Sequence, residues 1–271
     1  LNGTKMFITQ GSVGGFCVGL APTHKEGKAQ RGITAFIVEQ STPGYSASKK
    51  LEKYGCRSSD TVELTLENVR VSDAQRLGEV DHGFYDTMSI LDCGRISIAA
   101  MALGLGRGAL DMAVRYAKER SQFGRPIADF QAIQWMLADA RTKLDAAELL
   151  IHRAADLADK GEPFSQQASM AKLFASEVAT QVCNDSLQIH GGYGYTREFD
   201  IERHLRDAKI CEIGEGTSQV QRIVIAKHLL AGAVPWGAGR ARSGAPPPPK
   251  KMSPKSVEPV TLRGHRLACV G

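Results

Sequence analysis

The sequence predicts an α+β fold: an antiparallel β-barrel or sandwich domain, then an all-α up-down four-helix bundle domain, then a disordered tail. Three observations predict it. The first seventy-odd residues alternate apolar and polar positions as strands do, the next hundred and fifty carry the 3.6-residue period of helices, and the end is low-complexity. All strands followed by all helices argues against a doubly wound parallel sheet, in which the two alternate. The expected boundaries are 1–78 for the β-domain, 79–230 for the helical domain and 231–271 for the tail.

Four strand runs carry the first part: KMFIT (Lys5 to Thr9), FCVGL (Phe16 to Leu20), ITAFIV (Ile33 to Val38) and VELTLENVRV (Val62 to Val71). Gly11-Ser12, Thr42-Pro43-Gly44 and Ser58-Ser59-Asp60 punctuate them. Near Phe84 the period changes. Helices are expected over about Phe84 to Lys118, Asp129 to Lys160, Ser165 to Ile189, Ile201 to Cys211 and Ser218 to Leu230. Gly161-Glu162-Pro163 before Ser165 is a helix stop and restart, which makes the second and third helices antiparallel neighbours. Their apolar faces read as Leu137, Leu144, Leu149 and Ile151 against Met170, Leu173, Phe174, Val178 and Val182. The segment GAGRARSGAPPPPKK cannot bury a core and reads as disordered.

Composition narrows the function classes. The chain has 271 residues, 42% of them hydrophobic and 23% charged, which is a globular balance rather than a disordered one. No run approaches the ~18 to 20 uninterrupted apolar residues of a membrane span. The net charge of +5 invites a nucleic-acid reading until it is located. Seven basic residues and one acid lie beyond Leu230, which leaves 27 basic against 28 acidic residues in the rest. The basic character belongs to the tail, so a nucleic-acid partner is not expected. Six scattered cysteines without a C-x-x-C pair, and histidines without ligand spacing, disfavour a disulfide framework or a metal site and fit a reducing compartment. His152 and His190 read as structural histidines.

Four segments carry candidate chemistry. Gly104-Leu-Gly106-Arg-Gly108 lies inside a helix rather than at a strand-to-helix turn, so it reads as close helix packing and not a dinucleotide fingerprint. Glu212-Ile-Gly-Glu215-Gly216-Thr217-Ser218-Gln219 reads first as a helix start, capped by Thr217 or by a Ser218/Gln221 capping box. Its other reading is a carboxylate, Glu215, held between two glycines where backbone can approach a ligand, in reach as a general base. The polar break Arg120-Ser-Gln122-Phe123-Gly-Arg125-Pro-Ile127, followed by Phe130-Gln131, suits a phosphate-bearing ligand with an adenine-like ring. Gln188-Ile-His190-Gly191-Gly192-Tyr193-Gly-Tyr195 is a second such place, of whose three glycines a helix C-cap explains one.

Together with LNGTKMFIT and ASMAKLFASEVA, the segments ERSQFGRPIADFQ, QIHGGYGYTREFDIERHLRDAKI and IGEGTSQVQRIVIAKHLL make the chain resemble the acyl-CoA dehydrogenase family from Leu1 to Leu230. The resemblance implies an FAD flavoprotein that removes hydrogens from the α and β carbons of an acyl-CoA thioester, in fatty-acid or branched-chain breakdown. Glu215 matches the family's catalytic base. Some relatives carry that base on the long helix instead, where this chain has Gly94. Asp92, Arg95 and Gly216 match substrate-binding positions. Phe7 and Thr9 match residues that pack on and hydrogen-bond to the isoalloxazine, and Thr217 and Gln219 match contacts near the FAD diphosphate and adenine. Arg120, Gln122, Phe123, Gln131, Gln188, Gly191 and Gly192 match positions that hold the FAD of a neighbouring subunit. The resemblance therefore also implies a homotetramer built as a dimer of dimers, an electron-transferring flavoprotein as acceptor, and residence in a bacterial cytoplasm or mitochondrial matrix.

The sequence departs from the family's pattern in places. It opens within the β-domain, which gives the expectation of an N-terminally truncated fragment lacking the helical domain and flavin loop of the family. Gln10 and Gly14-Gly15 replace the more usual Asn and Ala-Asp. Gly214 replaces the aromatic often found before the base, from which a wider acyl channel is expected. Beyond Leu230 nothing matches. A non-catalytic oligomerising remnant and an acyl-CoA oxidase are the alternatives to a dehydrogenase.

Overall fold

A computed structural model describes residues 1–24, 32–232 and 268–269. The described residues divide into two compact units, one comprising 1–24, 32–51, 59–88, 229–232 and 268–269, the other Glu52–Ser58 and Ser89–His228.

The first unit holds the strands, all paired antiparallel. Strands β1 (Gly3–Thr9), β4 (Tyr45–Ala47) and β5 (Thr61–Leu66) form one sheet in the order β1-β5-β4. Strands β2 (Phe16–Pro22), β3 (Ile33–Glu39) and β6 (Arg76–Leu77) form the core of a second. The period-2 pattern puts Ile8, Val62, Leu64 and Leu66 of the first sheet against Val38 of the second, with Cys17 packed alongside. This is a sandwich core; the strands close no barrel among the described residues, which corrects the barrel half of the expectation. The run expected to reach Val71 stops at Leu66 because Asn68 adopts φ +52°, a left-handed turn that Asn tolerates. Its N–H is taken up by the Asn2 side chain at 2.6 Å. Strand β1 is interrupted between Lys5 and Ile8, and Phe7 at φ +61° is thrown out of the pleat to 71% exposure.

The second unit is helical. Its long helices are α1 (Gly83–Glu119, which begins in the first unit), α2 (Gln131–Asp159) and α3 (Ser165–His190). Between α1 and α2 lies a two-stranded ribbon, β7 (Ser121–Gln122) with β8 (Arg125–Pro126). The short α4 (Ile201–Ala208) and α5 (Ser218–Leu230) follow. The seam between the long helices is built mostly from small residues: Ala99, Ala102 and Ala109 of α1, Ala140, Ala147 and Ala154 of α2, and Ala168, Ala171, Ala175 and Ala179 of α3. Leu149 and Phe174, expected to face inward, point outward, because backbones this close leave room for methyl groups and little more. Gly106 shows the limit: a Cβ there would lie 2.7 Å from Leu144 Cδ2, so the glycine-rich stretch of α1 is a packing device. The buried thiols of Cys183 and Cys211 share this core, where desolvation pushes both up to about 12.

Two expectations change here. The core draws on α1, α2, α3 and the short α4, whereas α5 buries only Ser218 and Gln221, its apolar residues being spread around its circumference. A simple up-down four-helix bundle does not describe that arrangement. Helix α1, although no uninterrupted apolar run marks it, has by length and composition what crossing a membrane requires, and less than a quarter of its most apolar stretch is buried. A single such helix is weak evidence for a span, since core helices of soluble proteins pass the same test. The basic Pro-rich tail lies outside the described residues save 231–232 and a two-residue strand, β9 (Ala268–Cys269), paired with Gly19 and Leu20 of β2.

Overpacking the helical seam is the direct test of this architecture. Gly106→Val is expected to destabilise the protein by about 1–3 kcal/mol in chemical denaturation, through strain against Leu144.

Candidate active site

Helix α4 runs into a 3-10 turn, Lys209–Glu212, and the chain then crosses five residues to the start of α5. Within this crossing Glu215 and Gly216 are both left-handed, at φ +50° and +90°. A glutamate pays an energetic penalty in that region, so something must hold it there. Three side chains do so. Thr217 caps α5, accepting the Val220 N–H at 3.3 Å. Gln221, fully buried, donates its Nε2 to the carbonyl of Gly216 at 2.8 Å and to that of Glu215 at 3.4 Å. Lys172 of α3, the largest fully buried side chain, donates Nζ to the same Gly216 carbonyl at 2.7 Å. Of the two caps the sequence allowed, Thr217 forms; Gln221 reaches back to the loop instead of completing a box with Ser218.

The turn delivers the Glu215 carboxylate to helix α1. A Cβ on Gly94 would lie 2.1 Å from Glu215 Oε2, so the carboxylate occupies the space that any other residue at 94 would fill. Oε2 is buried there with no hydrogen-bond partner among the described residues. A buried carboxylate oxygen without a donor carries an unrepaid desolvation cost. Charge is at hand. Burial drags the Lys172 ammonium below the usual lysine range, and Cys211, Glu212 and Glu215 pull it back up. Such a lysine opposes folding while it is protonated in the interior, and the opposition fades as pH rises through its depressed pKa toward the 10.5 of the unfolded chain.

Asp92 and Arg95 lie one turn of α1 apart, on either side of Gly94. The buried Arg95 guanidinium is paired with Asp92, whose Oδ1 also accepts Ser165 Oγ at 2.9 Å. Arg95 Nε is buried without a hydrogen-bond partner among the described residues. The two are thus tied to each other and to the start of α3, beside the carboxylate. Gly214 leaves the position before Glu215 without a side chain; a Cβ there would lie in ordinary contact with the Ile210 carbonyl oxygen at 3.4 Å.

A second place in the helical unit gathers the two glycine- and arginine-bearing segments. A cavity of about 510 Å³ is lined by Arg120, Gln122, Gly191, Gly192 and Tyr193, with Tyr116 and His190 behind them. Arg120 lies 5.5 Å from the centroid of the Tyr193 ring. His190 is buried, stacked on Tyr116 at 4.3 Å, with Nδ1 2.7 Å from the Ser186 carbonyl. Side chains at Gly191 and Gly192 would project into open space, and Gly191 at φ +59° ends α3. A guanidinium, an amide, an aromatic ring and bare backbone suit a phosphate joined to a flat ring. Phe123 at 93% exposure, Gln131 and Gln188 do not line this cavity. Phe123 packs edge-on against Phe130, and Gln131 and Gln188 are exposed. Thr217 spends its hydroxyl on the cap, Gln219 is exposed, and Phe7 and Thr9 belong to the strand unit, where both are exposed.

The acyl-CoA dehydrogenase middle-domain profile matches residues 1–69, and the C-terminal-domain profile matches residues 81–230. The chain belongs to the acyl-CoA dehydrogenase family. It is 47% identical over 232 residues to an acyl-CoA dehydrogenase of Bacillus subtilis, a match covering 86% of this chain and 61% of that protein. It is 47% identical to a caffeyl-CoA reductase-Etf complex subunit of Acetobacterium woodii, over 85% of this chain and 60% of the relative. The solved butyryl-CoA dehydrogenase of Megasphaera elsdenii superposes with a TM-score of 0.83 at 46% identity, covering 85% of this chain and 60% of that one. The chain thus spans about 60% of the length of the relatives it matches. Members of this family are FAD-dependent oxidoreductases.

Lys172 and Gln221 escape a reading of the sequence. Lys172 had a legible signal, lying four residues after Ala168 and four before Ser176 on the buried face of α3. Gln221 had none, because its first use in a sequence is as a capping partner.

The seat over Gly94 can be tested without chemistry. In a crystal structure of Gly94→Ala the helices are expected to remain in place, with the Glu215 carboxylate displaced by more than an ångström-scale adjustment; an unmoved carboxylate would contradict the close contact.

Proposed function

We propose that the protein catalyses the α,β-dehydrogenation of acyl-CoA thioesters, with Glu215 as the base that takes the α-proton. The observation that carries this reading is the carboxylate of Glu215, buried over Gly94 with an oxygen that no donor satisfies. A carboxylate oxygen already occupied by a donor could not take a proton without giving that donor up; Oε2 has none among the described residues. A thioester α-proton is a very weak acid, so the site must also stabilise the oxygen that gains charge. The backbone N–H of Glu215, fixed by the left-handed turn, is the donor this chain would offer to that oxygen. Arg95 and Asp92, beside the carboxylate on α1, and Gly216 would bound the substrate.

FAD, when bound, supplies the acceptor for the β-hydrogen as hydride. The residues present fit it. Arg120 and Gln122, with the bare backbone at Gly191 and Gly192, form the charged and open part of a cavity large enough for a diphosphate with an adjoining ring. Phe7, exposed at the kink in β1, and Thr9 beside it would take the isoalloxazine, and Thr217 and Gln219 the diphosphate side. Phe123, Gln131 and Gln188 flank the cavity segments and would complete it from their exposed positions. By resemblance, that cavity holds the cofactor of a neighbouring subunit, which makes the protein a dimer of dimers. Apolar side chains exposed on the isolated subunit, among them Ile90, Leu149 and Ile223, support burial against further copies.

Electrons would pass to an electron-transferring flavoprotein, in keeping with the Etf complex subunit among the relatives. That relative's name is also a reductase's. Run backwards, the same carboxylate returns a proton to the α-carbon, so the geometry serves either direction. The space at Gly214 supports bulkier or branched acyl groups. A bacterial cytoplasm or a mitochondrial matrix is the expected setting, since relatives come from both kinds of source.

The purified protein is expected to bind FAD and to reduce an acceptor dye with an acyl-CoA, bulkier or branched acyl groups included. Glu215→Gln is expected to lower kcat by at least about 10²- to 10⁴-fold while flavin absorbance is retained. Near-normal turnover in that variant would reject Glu215 as the base, and absence of flavin from the unmodified protein would favour the remnant.

A further inference from the structure

We infer that Lys172 is a positioning residue for Glu215, acting through the carbonyl of Gly216 rather than by touching substrate; the inference rests on the reading of Glu215 as the base. A lysine with no exposed surface gives up its hydration, and proteins keep such a group only where its partners justify it. Yet Lys172 forms no ion pair among the described residues. Among the described residues its hydrogen bond goes to a backbone oxygen, Gly216 O, at 2.7 Å.

That oxygen is the hinge of the site. Gly216 is the second of two successive left-handed residues, and its carbonyl receives both the Lys172 ammonium and the Gln221 amide. Two donors from different helices converging on one acceptor fix the orientation of that peptide plane. The preceding residue then has little freedom: Gln221 also reaches the Glu215 carbonyl, and the Glu215 side chain ends in the notch at Gly94. The chain of constraint runs from α3 and α5, through one carbonyl, to a loop carboxylate that lies against Gly94 of α1. A salt bridge between Lys172 and Glu215 would also hold the loop, but it would occupy the oxygen that must take a proton. Binding the backbone instead leaves Oε2 without a donor, as observed. The ammonium remains close enough to interact electrostatically with Glu215 and Arg95, so it also biases the field at the carboxylate.

Replacing Lys172 by Met removes the donor and the charge while keeping most of the volume, and removal of a buried charge need not destabilise. The readout is carbodiimide labelling of carboxylates, quantified by mass spectrometry, with exposed Glu198 as the internal standard. In Lys172→Met, labelling of Glu215 is expected to rise about tenfold relative to Glu198, the change corresponding to loss of ~1.4 kcal/mol in holding the turn. Flavin content is expected to persist, and kcat to fall by a similar factor with KM little changed. Should Lys172→Met fail to fold, Gln221→Leu removes the other donor to the same carbonyl and is read in the same way. Wild-type labelling of Glu215 in a folded variant overturns the inference, as does released labelling with undiminished turnover. Labelling reports the position of the carboxylate whether or not acyl-CoA is oxidised, so a protein inactive from the start fails the functional reading and leaves this one decided by the label.

Discussion

On the proposed reading of Glu215 as the base, its carboxylate must be held in place without being satisfied, and that single constraint organises the helical unit. Holding a side chain by its charged end is the easy solution, and it destroys the basicity. Here the load falls on the backbone. Lys172 and Gln221 grip the carbonyl of Gly216, the left-handed pair Glu215–Gly216 aims the side chain, and the missing Cβ of Gly94 gives its carboxylate somewhere to lie. Each element compensates for a cost in another: a buried ammonium is tolerated because it fixes a strained turn, and the strain is tolerated because it leaves an oxygen free.

The packing of the unit follows from the same need. A lysine that starts on α3 can reach a loop before α5, and that loop can reach α1, only if the helices approach closely. The alanine seam of α1, α2 and α3, with Gly106 set against Leu144, provides that approach. Ser165 at the start of α3 bonds to Asp92, which tethers the same two helices at the level of the site. The cavity at the other glycine-rich turn shows the opposite strategy. Its polar groups, Arg120 and Gln122, are exposed or half-buried and its glycines face open space, as the proposed cofactor site requires.

Much of this was legible in the sequence, and the reasons differ from element to element. The long helices were readable because a 3.6-residue period sustained over thirty residues has few competitors, and their ends fall within a few residues of expectation. The inward faces were less readable. Large apolar residues draw the eye, yet the structure buries alanines and turns Leu149 and Phe174 outward, because hydropathy says nothing of how near two backbones lie. The short strands Tyr45–Ala47 and Arg76–Leu77 carry too few residues to show a period, and the turn at Asn68 ended a strand whose alternation continued on paper. Glu215 could be singled out between its glycines, but its seat could not, since Gly94 is over a hundred positions away. Lys172 and Gln221 matter through a backbone oxygen, a kind of partner that side-chain patterns do not reveal.

The most direct measurement is a crystal structure of the FAD-loaded protein with an unreactive acyl-CoA thioether in place of substrate. The account predicts a carboxylate oxygen of Glu215 within about 3–3.5 Å of the carbon next to the thioether's acyl head, in line for proton removal, with Gly216 still held by Lys172 and Gln221. A Glu215 carboxylate turned away from the acyl chain, or a different acidic side chain beside that carbon, would contradict it.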